Sequence, residues 1–528
     1  MLVVGGGITG CGIARDAVLR GLRVALAEKD DFASGTSSRS SRLIHGGLRY
    51  LEHGHLHLVF EASGERRRLL RLAPHLVRPL EFIWPVYVGS RVSQWKLSAG
   101  LTLYDALALF RNVGGHRRLT KRRIAAREPR LRRDGLAGGA RYFDAATDDA
   151  RLTLANAIGA AEAGAVVVNH AAVQAIHVVN GAARGARVMD MLTNQACDVR
   201  ASVIVNAAGP WSDELRRLDE GAGAAQRATV QGSKGVHIAV PRRRLGNEGA
   251  LTLLTPSDER VMFVLPADEQ TIIGTTDTYT TSSPDAVRAD AADIAYLLDA
   301  VNTFFPGARL DPSDVVSAWA GIRPLVPEAA ALDPGAASRE HAITQSPHGV
   351  VTITGGKLTT YRVMAAEMVE TVIDNLERPK WPPWRVSPTY HTPLPGGEIA
   401  SIDEAVQAAV RVTGDVKLSH HLVRAYGSRW TAVADEIAAS GGAERLADSL
   451  PYTIGEMRYA VRHEMACTLG DLLVRRTHAA FQLRDHAVGL APRVASAVAD
   501  LLCWDSAGER QACDEYAAEV QRIFAIDG

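Results

Sequence analysis

Three glycines near the N-terminus set the first chemical expectation. Gly5, Gly7 and Gly10 stand as G-x-G-x-x-G directly after the apolar run Leu2-Val3-Val4, with Ile8 and Thr9 between the second and third. The first position allows a tight turn. The second lets backbone N–H groups approach a phosphate, and the third lets helix and strand pack closely. Glu28 ends the next apolar run, Leu22 to Glu28, where about 20 residues on a carboxylate is expected to accept ribose hydroxyls. The pattern predicts dinucleotide binding and does not by itself separate FAD from NAD.

The segment Gly35 to Tyr50 favours FAD. It is dense in hydroxyls and small residues (Thr36, Ser37, Ser38, Ser41), then tightens into Leu43, Ile44, His45, Gly46, Gly47, Leu48, Arg49 and Tyr50. Such a loop can wrap a flavin and its phosphates with backbone and hydroxyl donors. A second chemical string is Gly321-Ile322-Arg323-Pro324-Leu325. An arginine among apolar neighbours must be answered by protein or ligand. A third is Gly355-Gly356-Lys357-Leu358-Thr359, which links a strand to a helix.

Together these strings resemble those of the FAD-dependent glycerol-3-phosphate dehydrogenases. The resemblance rests on Ser40 to Tyr50 with Leu51-Glu52-His53, Ile273-Gly274-Thr275-Thr276-Asp277, Gly321 to Leu325, and Gly355 to Arg362. These occur in family order over residues 2 to about 375. It implies a D-amino-acid-oxidase-like fold: a Rossmann-like FAD-binding domain interleaved with an antiparallel-sheet substrate domain, followed by a C-terminal helical domain. It implies non-covalent FAD and oxidation of sn-glycerol 3-phosphate to dihydroxyacetone phosphate, with electrons passed to a membrane quinone. The site residues it implies for FAD add Lys29, Val173, Ala208, Gly209, Trp211 and Gly274 to those above, with Lys357, Leu358 and Thr359. For the substrate it implies the cations Arg49, Arg323 and Lys357 with the hydroxyls of Tyr50, Thr275 and Thr276. Arginine suits a phosphate dianion because its planar fork engages two oxygens at once. His45 and His237 are the two candidate proton acceptors. The helix opened by Gly355-Gly356 is placed to stabilise charge on reduced flavin.

The elements that must position these groups follow from patterning. The first strand, helix and second strand form a βαβ unit; its short first strand suggests a natural start several residues upstream. The expected division is 1–75, 146–215 and 346–376 for the FAD-binding domain. The region 76–145 is a substrate or cap segment, and 216–345 an antiparallel-sheet substrate domain. Residues 377–398, with six prolines, read as a linker, and the Ala-rich 399–528 as the helical domain.

Composition narrows the function classes. Lys+Arg and Asp+Glu are equal at 59 each, which gives no support to a nucleic-acid binder. The five cysteines are widely spaced and make no CxxC, arguing against a disulfide framework or zinc site and for a reducing compartment. No run of ~18 apolar residues predicts a transmembrane helix. Contact with a membrane is therefore expected to be peripheral, on the cytoplasmic inner face. It would run through Arg91 to Arg111, where Trp95, Leu97, Leu101, Leu103, Tyr104, Leu107, Leu109 and Phe110 lie between cations. A homodimer is left open. Two other readings stand beside the dehydrogenase: a glycerol-3-phosphate oxidase using oxygen, and, more distantly, a non-enzymatic or RNA-modification FAD-binding protein.

Overall fold

The computed structural model describes residues 1–48, 51, 55–109, 113–221, 229–326, 340–376 and 387–528. Its first layer is a six-stranded sheet in the order His341–Gln345, Val351–Gly355, Ile204–Asn206, Leu2–Val4, Ala25–Ala27, Val166–Val168. All neighbours are parallel except the first pair. Leu2, Val3 and Val4 are buried on both faces, as a central parallel strand requires. The helices Ile8–Leu19, Asp149–Glu162 and Tyr361–Asn375 pack together on one face. The other face is covered by a three-stranded meander, Ala171–Val179, Ala182–Asp190 and Ala196–Arg200.

The second layer is a ten-stranded, mostly antiparallel sheet. Gln231–Pro241, Gln270–Gly274, Val261–Ala267 and Ala250–Leu254 lead into Val77–Tyr87 and Leu136–Thr147, and Ser317–Leu325 pairs with Gln231–Pro241. Alternation along Gln231–Pro241 sorts its side chains. Val236, Ile238 and Val240 join the core under the helix Ala291–Phe304, while His237 and Ala239 face the opposite way. That opposite face also meets the C-terminal helices, where Trp84, Tyr142 and Trp319 share a core with Phe481 and Leu473. Helix starts in the C-terminal region are capped as their sequence suggests: Ser401, Asp415 and Asp505 accept backbone N–H groups, and Thr453 with Glu456 forms a capping box.

Three expectations change here. His341–Gln345, grouped by patterning with the antiparallel domain, pairs with Val351–Gly355 in the nucleotide-binding sheet. Leu43–Ile44, grouped with the nucleotide-binding part, adds to the edge of the ten-stranded sheet through Leu136–Thr147. Part of the proline-rich linker is also anchored rather than loose: Leu394 is buried, and Arg15 donates to the carbonyls of Thr392 and Pro393; residues 377–386 of it lie outside the described residues.

The expected interfacial helix is Gln94–Leu107, and its faces differ from the expectation. Leu97, Leu101 and Tyr104 are buried. The Tyr104 hydroxyl donates to Asp144 at 2.7 Å and accepts from Gly46 N and Arg66, so it is a core residue and not an interface anchor. Trp95, Leu103 and Leu109 are exposed; Phe110 and Arg111 fall outside the described residues. Among the described residues no helix is long and apolar enough to cross a membrane.

Candidate active site

A cavity of about 490 Å³ runs between the two sheets. At one end Gly5 sits at φ +110°, and a Cβ on Gly10 would lie 1.9 Å from the Gly5 carbonyl oxygen, so neither position accepts another residue without movement. Gly7, Ile8 and Thr9 line the cavity where the first helix begins, and Ile8 N donates to Ser37 Oγ at 2.9 Å. Glu28 lies across the turn, its carboxylate accepting from Gly6 N (2.5 Å) and Asp30 N (2.9 Å). Burial pushes its pKa up to about 7 against the pull of those donors. Backbone donors at a helix start beside a buried carboxylate suit a diphosphate flanked by a ribose. This donor set fits FAD.

Ala208, Gly209, Trp211, Val173 and Thr36 complete that end. Trp211 and Lys29 also line it, but their polar atoms are engaged: Trp211 Nε1 donates to Asp285 at 3.1 Å, and Lys29 Nζ pairs with Asp285 at 2.8 Å. Farther along, Ser41, Leu43, His45, Gly355, Gly356, Lys357 and Leu358 line the wall, with Gly355 and Gly356 at φ +78° and +85°.

At the inner end stand His237 and Arg323. A Cβ on Gly235 would lie 2.4 Å from Arg323 Nη2, so the guanidinium occupies the space over that glycine. Its Nη2 donates to Thr275 Oγ1 at 3.0 Å and its Nη1 meets Asp277 Oδ1 at 3.2 Å. Asp277 in turn accepts from Ser233 Oγ. His237 stacks on Trp319 (5.6 Å between ring centres, 13°), and its Nε2 lies 2.9 Å from Ser41 Oγ. Burial first, then Arg323 and Arg42, pushes its pKa down to about 3, so the imidazole is neutral.

Several expected contacts do not reach the cavity. Ser38 is buried and hydrogen-bonds the Gly35 carbonyl. Gly46 packs against Tyr104 and Ser63, and its N–H donates to Tyr104 and Asp144. Leu48 packs toward the C-terminal core, and Gly47, like it, is not among the cavity residues. Gly274 abuts the His237 ring. Thr276 Oγ1 accepts from Val236 N at 3.0 Å, which leaves Thr275 as the threonine beside Arg323. Thr359 Oγ1 bonds the His45 backbone, holding that loop from behind. Gly10 acts through packing. Arg49 and Tyr50 lie outside the described residues.

Pattern reading missed Asp277 and Ser233, which hold Arg323, although Asp277 stands inside a string quoted for its threonines. It also missed Arg39, a buried arginine lining the cavity. Arg39 donates to the Ala320 carbonyl at 3.4 Å, and burial draws its pKa down to about 10. Only its place in the hydroxyl-rich loop hinted at it.

A glycine-rich helix start beside a buried carboxylate, joined to an arginine- and histidine-lined sheet, is the arrangement of an FAD-dependent oxidoreductase. The family described as "FAD dependent oxidoreductase" matches residues 1–362, and that of the "C-terminal domain of alpha-glycerophosphate oxidase" matches residues 387–509. The chain is 35% identical to the aerobic glycerol-3-phosphate dehydrogenase of Staphylococcus haemolyticus over 483 residues, 90% of this chain and 86% of that protein. It is 33% identical to that of Staphylococcus saprophyticus over 535 residues, 100% and 94% respectively. The crystal structure of the glycerol-3-phosphate dehydrogenase of Bacillus halodurans complexed with FAD superposes with a TM-score of 0.78 at 32% identity, covering 99% of this chain and 94% of that one. The chain belongs to the family of FAD-dependent glycerol-3-phosphate dehydrogenases.

Proposed function

We propose that the site oxidises sn-glycerol 3-phosphate at C2 to dihydroxyacetone phosphate and that the electrons leave to a membrane quinone. The observation that carries this reading is the Arg323 guanidinium, fixed by Asp277 and Thr275 at the inner end of the cavity beside a neutral imidazole. FAD, when bound, supplies the acceptor for the hydride that leaves C2.

The chain's own residues divide the rest. Arg323 answers the substrate's negative charge, the phosphate or the oxygen that gains charge at C2, and Lys357 and Arg49 are the further cations. His237 takes the hydroxyl proton. An imidazole is far too weak a base to form a free alkoxide beforehand, so the proton leaves as the C2–H bond breaks. Ser41, 2.9 Å from its Nε2, fixes the ring orientation. His45 is the second candidate base, in the wall next to Ser41 and Leu43.

For membrane contact, support comes from exposed apolar side chains on two helices that pack together. These are Leu56 and Phe60 of Leu56–Leu72, and Trp95 and Leu103 of Gln94–Leu107. Exposed apolar side chains of this kind suit a peripheral position on the cytoplasmic face of the cell membrane. The acceptor is tested by turnover of glycerol 3-phosphate with a soluble quinone analogue and, separately, with oxygen alone. The proposal expects quinone reduction and little oxygen uptake. Rapid oxygen uptake that yields peroxide without quinone would make the protein an oxidase.

A further inference from the structure

The C-terminal region sends one short, wide helical turn, Asp471–Arg476, against the nucleotide-binding domain, and its residues are buried there. Arg475 Nε and Arg476 Nη1 both donate to Asp31 Oδ2, at 2.6 and 2.5 Å, and Arg476 Nη2 donates to Asp31 Oδ1 at 3.0 Å. Asp31 is fully buried and accepts also from Asn169 Nδ2 at 3.0 Å. From the same turn, Asp471 Oδ2 meets His170 Nε2 at 3.0 Å. Arg475 spans the two carboxylates and reaches Glu519 at 2.7 Å.

Asp31, His170 and Asp471 stand close enough to suggest a cation site, but the two guanidiniums already supply the positive charge a metal would bring. What they hold explains their place. Asp31 follows Glu28 in the turn whose Ala33 N returns to the Gly6 carbonyl. Asn169 and His170 precede Ala171, Ala172 and Val173 in the facing wall of the cavity. The two walls are also bonded to each other: His170 N donates to the Asp30 carbonyl and Ala171 N to the Glu28 carbonyl, each at 2.6 Å.

We infer that Asp471–Arg476 is a clamp through which the C-terminal domain holds both walls of the adenosine half of the FAD site. Asp31, His170, Arg475 and Arg476 are its positioning residues. This rests on the assignment of Gly5 to Gly10 and Glu28 to the adenosine half. None of the four lines the cavity; they fix where the Glu28 carboxylate and the Ala171–Val173 wall stand. Retention of FAD thus depends on a domain that contributes no residue to the glycine-rich fingerprint.

The test uses the full-length protein stripped of flavin and titrated with FAD, with ADP and FMN as competitors that report the two halves separately. Asp31→Asn keeps the shape and removes the charge that both arginines answer. Its expected effect is FAD and ADP binding weakened about ten- to a hundredfold, the span of one lost charge-assisted hydrogen bond. FMN competition and the bound-flavin spectrum should be unchanged, and Asp31→Glu should restore part of the affinity. His170→Leu, which removes only the side-chain link to Asp471, should show the same selectivity with a smaller loss and serves if Asp31→Asn fails to fold. Variants that melt earlier while their folded fraction binds ADP normally would overturn the clamp and leave a purely structural interface. If ADP fails to compete with FAD in the unaltered protein, the assignment of the adenosine half is itself wrong and the clamp falls with it.

Discussion

Arg323 and Asp277 meet at 3.2 Å at the inner end of the cavity, with Ser233 Oγ donating to the same Asp277 oxygen and Gly235 beneath the guanidinium. The arginine is therefore aimed before any ligand arrives, its plane set by Asp277 and Thr275. A preset cation costs little reorganisation when charge develops beside it.

Replacing that arginine should separate binding from cofactor retention. Arg323→Leu is expected to lower kcat/KM for glycerol 3-phosphate about ten- to a hundredfold or more, since a charged hydrogen bond is lost. Arg323→Lys should recover only part, because an ammonium lacks the planar fork. Flavin content should not change, and Asp277→Asn should weaken turnover less than Arg323→Leu. Glycerol serves as the control: if Arg323 holds the phosphate, preference over glycerol collapses, whereas if it serves C2, both substrates suffer alike. Full activity in Arg323→Leu would mark a structural ion pair.

The neutral state of His237 makes a pH prediction. A histidine near the ordinary value would lose base function as pH falls through about 6.5. With the folded pKa drawn down to about 3, His237 stays deprotonated across the working range, so kcat/KM should show no acid limb from it between pH 5 and 8. His237→Asn should reduce kcat more than KM. A limb near pH 6.5 that disappears in His237→Asn would contradict the assigned state of the ring.

Glu28 should titrate above the usual carboxylate range. Its carboxyl is held up to about 7 by burial in the flavin-free protein, and in the proposed role its ionised form is the stronger acceptor for two ribose hydroxyls. FAD affinity should thus be constant above about pH 7 and fall below it, by at most about tenfold per pH unit. Glu28→Gln should bind more weakly and lose that dependence. An affinity indifferent to pH in the unaltered protein would remove Glu28 from the ribose.

The membrane reading is tested by flotation with anionic vesicles. Binding is expected for the unaltered protein and should weaken clearly in Trp95→Glu, whose side chain is 70% exposed, while turnover with a soluble quinone analogue stays near normal. Equal flotation of both proteins would show that this patch is not the contact.

What the sequence could and could not disclose follows from distance along the chain. The placing of Gly5, Gly7, Gly10 and Glu28 is legible because it is local: a turn, a helix start and the end of the next strand. The Ser41–His237 contact spans 196 residues and the Asp31–Arg476 pair 445, and no periodicity encodes either. Tyr104 misled for the same reason. On its own helix it looks like a headgroup anchor, and only the distant Asp144 and Arg66 explain its burial. His341–Gln345 was misplaced because a short strand carries no mark of which sheet it will join.

The most direct measurement of the central claim is anaerobic titration of the purified flavoprotein with sn-glycerol 3-phosphate, followed by visible flavin absorption. The account predicts full bleaching at stoichiometric substrate, formation of dihydroxyacetone phosphate, and recovery of the yellow colour when a quinone is added. A flavin spectrum that stays oxidised with excess glycerol 3-phosphate would contradict it.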